Sequence, residues 1–174
     1  MERHSNIEKT ITITRLSIVT RIGKILNMLA KVRYDGTNAR YVNHLPPKID
    51  FEMENDLIND NFKDSVGRLA KRIKCFLKSV KIETPEPVME EKEADLTQVV
   101  FNLSFAYNWA SQLEDTLKDK MEEYLAYQVI ALWLENTSPQ DLPYYETKAK
   151  AILQEVRHTC EIRNNVIHTI EYLY

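Results

Sequence analysis

The chain has 174 residues, of which 44% are hydrophobic and 28% charged, the composition of an ordinary globular protein with one core. No run approaches the ~20 apolar residues that a membrane span needs, and the polar N-terminus lacks the apolar core of a signal peptide, so we expect no export and no membrane. Residues 1–81 carry 16 Lys and Arg against 9 Asp and Glu, whereas residues 82–174 carry 7 against 17. Such a chain is attracted to copies of itself or to two oppositely charged neighbours. The alternative is that the basic and the acidic face are both simply solvated, which gives the same charge counts.

A short strand and a long helix are predicted first. The alternating β-branched residues of Thr10–Thr14 favour a strand within an N-terminal arm, residues 1–14. From Arg15 to about Tyr34 the apolar residues have helical spacing. These residues are Leu16, Val19, Ile22, Leu26, Leu29 and Val32. A connector follows over residues 34–50, where two consecutive prolines bar a helix.

The clearest helix is predicted from Glu52 to Ser79. Acidic residues lie near its start and basic residues near its end, the order that suits the helix dipole. Its apolar residues recur at steps of three and four. They are Ile58, Phe62, Val66, Leu69, Ile73, Phe76, Leu77 and Val80. The Pro- and Glu-rich residues 81–95 predict a linker, or a loop with short extended pieces.

The second half predicts one strand and two helices. Apolar and mostly polar residues alternate over residues 96–107, which indicates a strand with one buried face. Helices are expected over Ser111–Glu135 and Pro143–Arg163, separated by the helix-breaking sequence NTSPQDLP. The last helix has an apolar stripe. Its members are Tyr145, Ala149, Ile152, Leu153, Val156 and Cys160.

These elements predict a mainly helical α+β fold, in which about four helices bundle with a small β element. We expect a single domain over residues 1–174, with a helical core over residues 15–165. Residues 166–174 are rich in β-branched and aromatic side chains and are expected to form a C-terminal arm that pairs with a partner.

No catalytic constellation is visible. The chain lacks the GxGxxG, GxxxxGK[ST], GxSxG and HExxH motifs, and its four histidines are scattered. Cys75 and Cys160 are isolated on predicted helices, so we expect two buried small hydrophobic residues rather than a disulfide or a metal site. The prediction is a protein that is not an enzyme and has no catalytic, cofactor-binding or metal-binding residue.

A basic series follows the middle of the predicted Glu52–Ser79 helix without an intervening acid. Lys and Arg neutralise phosphates without a motif, so this series can face DNA or an acidic protein neighbour, and a solvated basic face is the alternative. A helix–turn–helix reader requires two short helices joined by a tight turn, which the sequence does not predict. The series comprises Arg68, Lys71, Arg72, Lys74 and Lys78.

The segment Tyr127–Leu134 is apolar on nearly every side of its predicted helix. A helix that is hydrophobic all round is buried all round. We expect the strand at 96–107 and the last helix to cover most of it and a subunit neighbour to cover the rest, with a fully intramolecular core as the alternative. The expected interface residues are Tyr127, Trp133, Tyr144, Tyr145, Ile170 and Tyr172.

The stretch KMEEYLAYQVIALWLENTSPQDLPYYETKAKAILQEVRHTCEIRNN resembles the C-terminal part of head–tail connector (neck) proteins of tailed bacteriophages. The resemblance is closest to phages of Bacteroides-type gut bacteria, including the crAss-like group. It consists of a helix ending in ALWL, a Pro-containing turn and a helix with YYETKAKAILQEV. The preceding VVFNLSF strand and NDNFKDSVGRLAKRIKCFL helix occur in the same order, so the likeness covers about residues 50–165.

The resemblance implies a structural virion protein that forms a ring, usually twelvefold, joining the capsid portal to the tail around the DNA channel. It implies the portal and further neck or tail proteins as partners, nonspecific contact with passing genomic DNA, and a place in the virion neck after assembly in the host cytoplasm. In such a ring, opposite charges on the two halves attract neighbouring copies, and the C-terminal arm adds a strand to an adjacent protein. The alternative is a small non-enzymatic DNA-binding or packaging accessory protein that uses the same basic helices.

Overall fold

The computed structural model describes residues 5–34, 49, 54–84 and 97–164, without the side chains of residues 28–34. Four helices and one three-stranded sheet occur in these ranges, which confirms the predicted mainly helical α+β fold. The elements are β1 (Ile7–Thr14), α1 (Arg15–Tyr34), α2 (Asn55–Arg72), β2 (Leu77–Glu83), β3 (Gln98–Phe105), α3 (Glu114–Thr137) and α4 (Leu142–Glu161).

β3 is the central strand of an antiparallel sheet with the order β1-β3-β2. Phe101 of β3 lies opposite Ile11 of β1 and Val80 of β2. Strict alternation along β3 places one row of apolar side chains in the core and the other row at the outer face. The buried row is Val99, Phe101, Leu103 and Phe105. The predicted strand with one buried face is therefore confirmed.

The N-terminal strand is longer than the sequence predicted. Residues 7–14 pair along their whole length with β3, so this part of the expected N-terminal arm is an outer strand of the sheet. The backbone N–H of Arg15 donates to the carbonyl of Thr97 at 2.8 Å, which joins the start of α1 to the start of β3. α1 then has the predicted bounds, but its buried side chains include Ile18 and Ile22, and Leu16 is 53% exposed.

The predicted helix over Glu52–Ser79 is wrong beyond Arg72. α2 ends there, and the chain turns through residues 73–76 before β2 begins at Leu77. The sequence LKSVKIE has β-branched residues and can form a strand as readily as a helix. The structure decides for the strand, because Leu77–Glu83 pairs with the edge of β3 that β1 leaves open. β2 also occupies residues 81–83 of the predicted linker.

α3 is the central helix, and this explains its all-round apolar surface. α1, α2 and α4 pack on it from different sides, together with β1. Every residue of Val129–Leu134 is buried within the single chain. This part of the predicted Tyr127–Leu134 segment needs no subunit neighbour to cover it, as the intramolecular alternative has it, whereas Tyr127 and Gln128 are half-buried. The sequence pattern predicted only the strand at 96–107 and the last helix as cover, whereas α1 and α2 also pack on α3.

The last helices agree with their predicted positions. A single 3₁₀ turn at Ser111–Leu113 precedes α3, and α4 has proline in its first turn and a buried face that includes Cys160. Cys75 is different, because it lies exposed in the turn after α2, so the prediction of a buried helical cysteine is wrong there. Most of the 34–50 connector and the arm at 166–174, with Ile170 and Tyr172, lie outside the described residues.

A candidate anion-binding cleft between three helices

A cleft of about 450 Å³ opens between α2, α3 and α4, and we call it the basic cleft. Three of the five residues predicted as a basic series line it, and all three come from the end of α2. The lining residues are Arg68, Lys71 and Arg72 from α2, Tyr124 and Gln128 from α3, and Glu146, Lys150 and Leu153 from α4.

Helix geometry places the α2 cations at this cleft. The apolar stripe of α2, which includes Val66 and Leu69, is buried against the core and fixes the rotation of the helix. Arg68 and Arg72 are four residues apart, so they lie one above the other on the same side of α2. α4 packs along α3 and brings Lys150 to the opposite wall of the cleft.

Acidic neighbours compensate this charge only in part. The Arg68 guanidinium donates to Asp64 at 3.1 Å, and the Lys150 ammonium donates to Glu146 at 3.4 Å. Both pairs join residues one turn apart on exposed helix surfaces, where such pairs contribute only about 0.3–0.5 kcal/mol. Lys71 and Arg72 form no ion pair with any described residue. The basic cleft therefore has an excess of positive charge.

Tyr124 forms a polar floor for the basic cleft. Its ring is buried, and its hydroxyl donates to the side-chain oxygen of Gln128 at 3.4 Å. Burial raises the pKa of Tyr124 above its usual value, and the positive charges of Arg68 and Arg72 oppose that rise only in part. The phenol consequently keeps its proton at neutral pH and can donate a hydrogen bond. Four cations and this hydroxyl are suited to hold an anion.

Two members of the predicted basic series lie elsewhere. Lys74 is exposed in the turn after α2, and Lys78 lies on β2, where it forms an ion pair with Glu8 of β1. Lys150 was not predicted, since the sequence contains no signal that α4 lies beside α2.

The predicted aromatic interface residues divide into two classes. Trp133 and Tyr145 are only 4% and 3% exposed, because the chain's own helices cover them. This corrects the expectation that these two side chains contact a neighbouring subunit. Tyr127 is half-buried, and Tyr144 is 45% exposed beside Lys148, whose ammonium lies 5.9 Å from the ring centre. Tyr144 alone among these four keeps a large free surface.

Part of the charge division between the two halves is neutralised inside the chain. Lys9 of β1 pairs with Glu114 at 2.5 Å, and Arg21 of α1 bridges Asp119 at 2.5 Å and Glu122 at 3.3 Å. Burial alone lowers the pKa of Arg21, but its two carboxylate partners raise it overall. The acidic start of α3 thus holds the basic helix α1, and this portion of the charge is not available to attract another copy.

A second cleft, of about 610 Å³, lies between α1 and the first half of α3. Its lining includes both signs of charge, such as Arg21, Lys24 and Glu123, together with Leu16 and Ile25. The charges therefore do not converge on one ligand class. The described residues contain no group of three His, Cys, Asp or Glu side chains able to hold a metal ion.

Comparisons with known proteins give no family assignment: no family model, curated protein or solved structure matches the chain. None of the described helices is long and apolar enough to cross a membrane.

Proposed function

We propose that this chain is a non-enzymatic protein that contacts nucleic-acid phosphates through the basic cleft. The observation that carries the proposal is the pair Lys71 and Arg72, which have no acidic partner among the described residues and share a cleft with Arg68 and Lys150. Asp64 and Glu146 compensate only Arg68 and Lys150, so the charges of Lys71 and Arg72 favour binding of a further anion in the cleft. Phosphate, like carboxylate, accepts bidentate charge-assisted hydrogen bonds from Arg, and Lys binds phosphate as a point charge.

The contact is expected to be independent of sequence. Phosphate contacts position a protein on a duplex but carry no base information. Each neutralised phosphate contributes about −0.9 to the slope of log affinity against log salt, so four contacts predict a slope of about −3 to −4. This slope separates a phosphate-binding surface from a merely solvated basic face, for which no binding is expected.

The connector ring suggested by the sequence resemblance remains a second proposal, in which the basic cleft faces the DNA channel. The observation that favours it is the free edge of β2, which pairs only with β3 among the described strands. Ile82 on this strand is 42% exposed. Open strand edges are templates for pairing with another chain, such as an adjacent subunit or a portal or neck protein. Because the chain's own elements cover α3, folding does not require a neighbouring subunit, and a ring would form from folded chains.

The first experiment is anisotropy of a labelled duplex of about 20 base pairs, titrated over a salt series. We expect the wild-type slope given above, and a smaller slope and weaker binding for the variant R68Q/K71Q/R72Q. The matched control K63Q/K74Q/K81Q removes the same charge from exposed positions outside the basic cleft. Equal losses in both variants, or no salt-dependent binding by the wild type, would contradict the proposal.

Light scattering at two salt concentrations tests the ring. A closed multimer, formed alone or only on the portal protein, supports it. A monomer that does not respond to salt or to the portal excludes it, and leaves phosphate binding by a monomeric accessory protein to be decided by the anisotropy slopes.

A further inference from the structure

We propose that the basic cleft is a discrete pocket that holds one phosphate group between α2 and α4, with Tyr124 and Gln128 as hydrogen-bond donors at its floor. The inference deepens the proposed function and rests on it, since we assign the phosphate to a nucleic-acid strand. It adds a defined position for the phosphate, because a continuous basic surface has no preferred position, whereas a pocket has one.

The first argument is that the cations come from different elements. Arg68 and Arg72 project from α2, and Lys150 projects from α4, so positive groups line two walls of the same cleft. A solvated helix face presents its charges from one side only. The volume of about 450 Å³ lies within the range of about 300–1,000 Å³ that is typical of small-ligand sites, which is enough for a phosphate and its attached sugar.

The second argument concerns the floor of the basic cleft. The hydrogen bond from the Tyr124 hydroxyl to Gln128 is long, at 3.4 Å, so it is readily exchanged for a stronger one to an anionic oxygen. The Gln128 amide nitrogen supplies a second neutral donor. Uncharged donors in the same cleft as the cations fix the orientation of a phosphate, which long-range charge attraction alone does not do.

The third argument is that the existing ion pairs are exchangeable. Asp64 and Glu146 contact Arg68 and Lys150 as one-turn pairs on exposed helix surfaces, and Glu146 itself lines the cleft. A phosphate offers an Arg guanidinium two oxygens in place of one. Leu153 gives the basic cleft an apolar wall on which a sugar can pack.

Isothermal titration with inorganic pyrophosphate, and anisotropy with a single-stranded oligonucleotide with and without a 5′-phosphate, test the pocket directly. Y124F removes only the hydroxyl and K150Q only the α4 charge, whereas K148Q removes a charge from the same helix outside the basic cleft and serves as control. We expect Y124F and K150Q each to weaken pyrophosphate binding about tenfold, and K148Q to leave it unchanged. Circular dichroism verifies that each variant is folded.

Failure of the pocket is distinguishable from failure of the proposed function. If the oligonucleotide binds but Y124F and K150Q bind both ligands as tightly as the wild type does, the pocket is excluded and phosphate contact remains. Pyrophosphate binding without binding of either the oligonucleotide or the 20-base-pair duplex supports the pocket, excludes the proposed function and identifies free phosphates as the source. A preference for the 5′-phosphorylated strand indicates a terminal phosphate, and equal binding indicates an internal diester, either of which fits the pocket. Equally tight binding of a glutamate octapeptide would overturn phosphate as the ligand.

Discussion

Replacing each of the two tryptophans by phenylalanine is expected to destabilise the fold by very different amounts. Both side chains are buried, and both substitutions remove the same atoms. The two indole N–H groups differ in their hydrogen bonding, however. Trp109 donates to the carbonyl of Thr159 at 3.0 Å, whereas the buried Trp133 indole nitrogen has no acceptor among the residues that the structure describes. Comparing W109F with W133F therefore isolates the effect of one buried hydrogen bond on the free energy of unfolding.

The magnitudes follow from these contacts. Thr159 lies in the last turn of α4, where carbonyls lack a helical partner, so W109F leaves a buried acceptor unpaired at a cost of about 1–3 kcal/mol. The smaller ring and the reduced stacking on Phe105, whose centroid is 4.2 Å away, add about 1 kcal/mol. W133F loses a similar volume, but it removes a desolvated donor. We expect a total loss of about 2–4 kcal/mol for W109F and of no more than about 1 kcal/mol for W133F.

Urea unfolding followed by circular dichroism measures both losses, because each variant retains one tryptophan and fluorescence alone would follow different sites. The denaturant slope must stay constant for the comparison to hold. Equal losses in the two variants would show that ring volume alone determines the cost, and would refute the assignment of an unpaired donor at Trp133.

Four further predictions concern single positions. Gly67 is exposed inside α2 and an added Cβ meets nothing within 4 Å, so G67A is expected to raise the free energy of unfolding by about 0.5–1 kcal/mol in urea titrations; a loss would contradict this. Burial, with small contributions from Cys75 and Glu161, raises the pKa of Cys160 to about 12, so a thiol reagent near pH 8 is expected to modify only the exposed Cys75 until the chain is unfolded. The folded chain keeps the Cys160 proton to higher pH than the unfolded chain does, so this group's contribution to stability falls as pH rises from about 9 towards 12, and C160A is expected to show a weaker alkaline decline. R21M removes the ion pairs that join α1 to α3 and is expected to cost about 0.5–1 kcal/mol at low salt, a difference that must shrink at high salt.

The sequence predicted those elements whose pattern admits only one period. The alternation in β3 excludes a helix, and the length of α3 and α4 excludes strands. β2 was missed because the apolar residues Ile73, Phe76, Leu77 and Val80 continue the helical spacing of α2. The strand that β2 pairs with, β3, begins only at Gln98, so no local pattern indicates the pairing. Tertiary hydrogen bonding overrode a local pattern.

The candidate site was predictable where it depends on one helix and unpredictable where it depends on several. Helical spacing alone places Arg68 and Arg72 on one face, so these cations were found. Lys150 and Tyr124 join them only because α2 and α4 both pack on α3. Trp133 was predicted at a subunit interface for the same reason, because no local sequence pattern shows that α1 and α2 also cover α3.

The central positions of β3 and α3 have a consequence for synthesis of the chain. β1 and β2 meet only through β3, and α1 and α2 pack on α3, so nearly every element of the first half has its main partner in the second half. Chains leave the ribosome N-terminus first, at about 5–20 residues per second. A nascent chain that has emerged only as far as residue 97 therefore has no core, and Ile13 and Phe62 remain uncovered until the partner elements emerge. The core of the described elements therefore forms only after β3 and α3 have emerged, and we expect a fragment that ends before α3 to be more sensitive to proteolysis than the full chain.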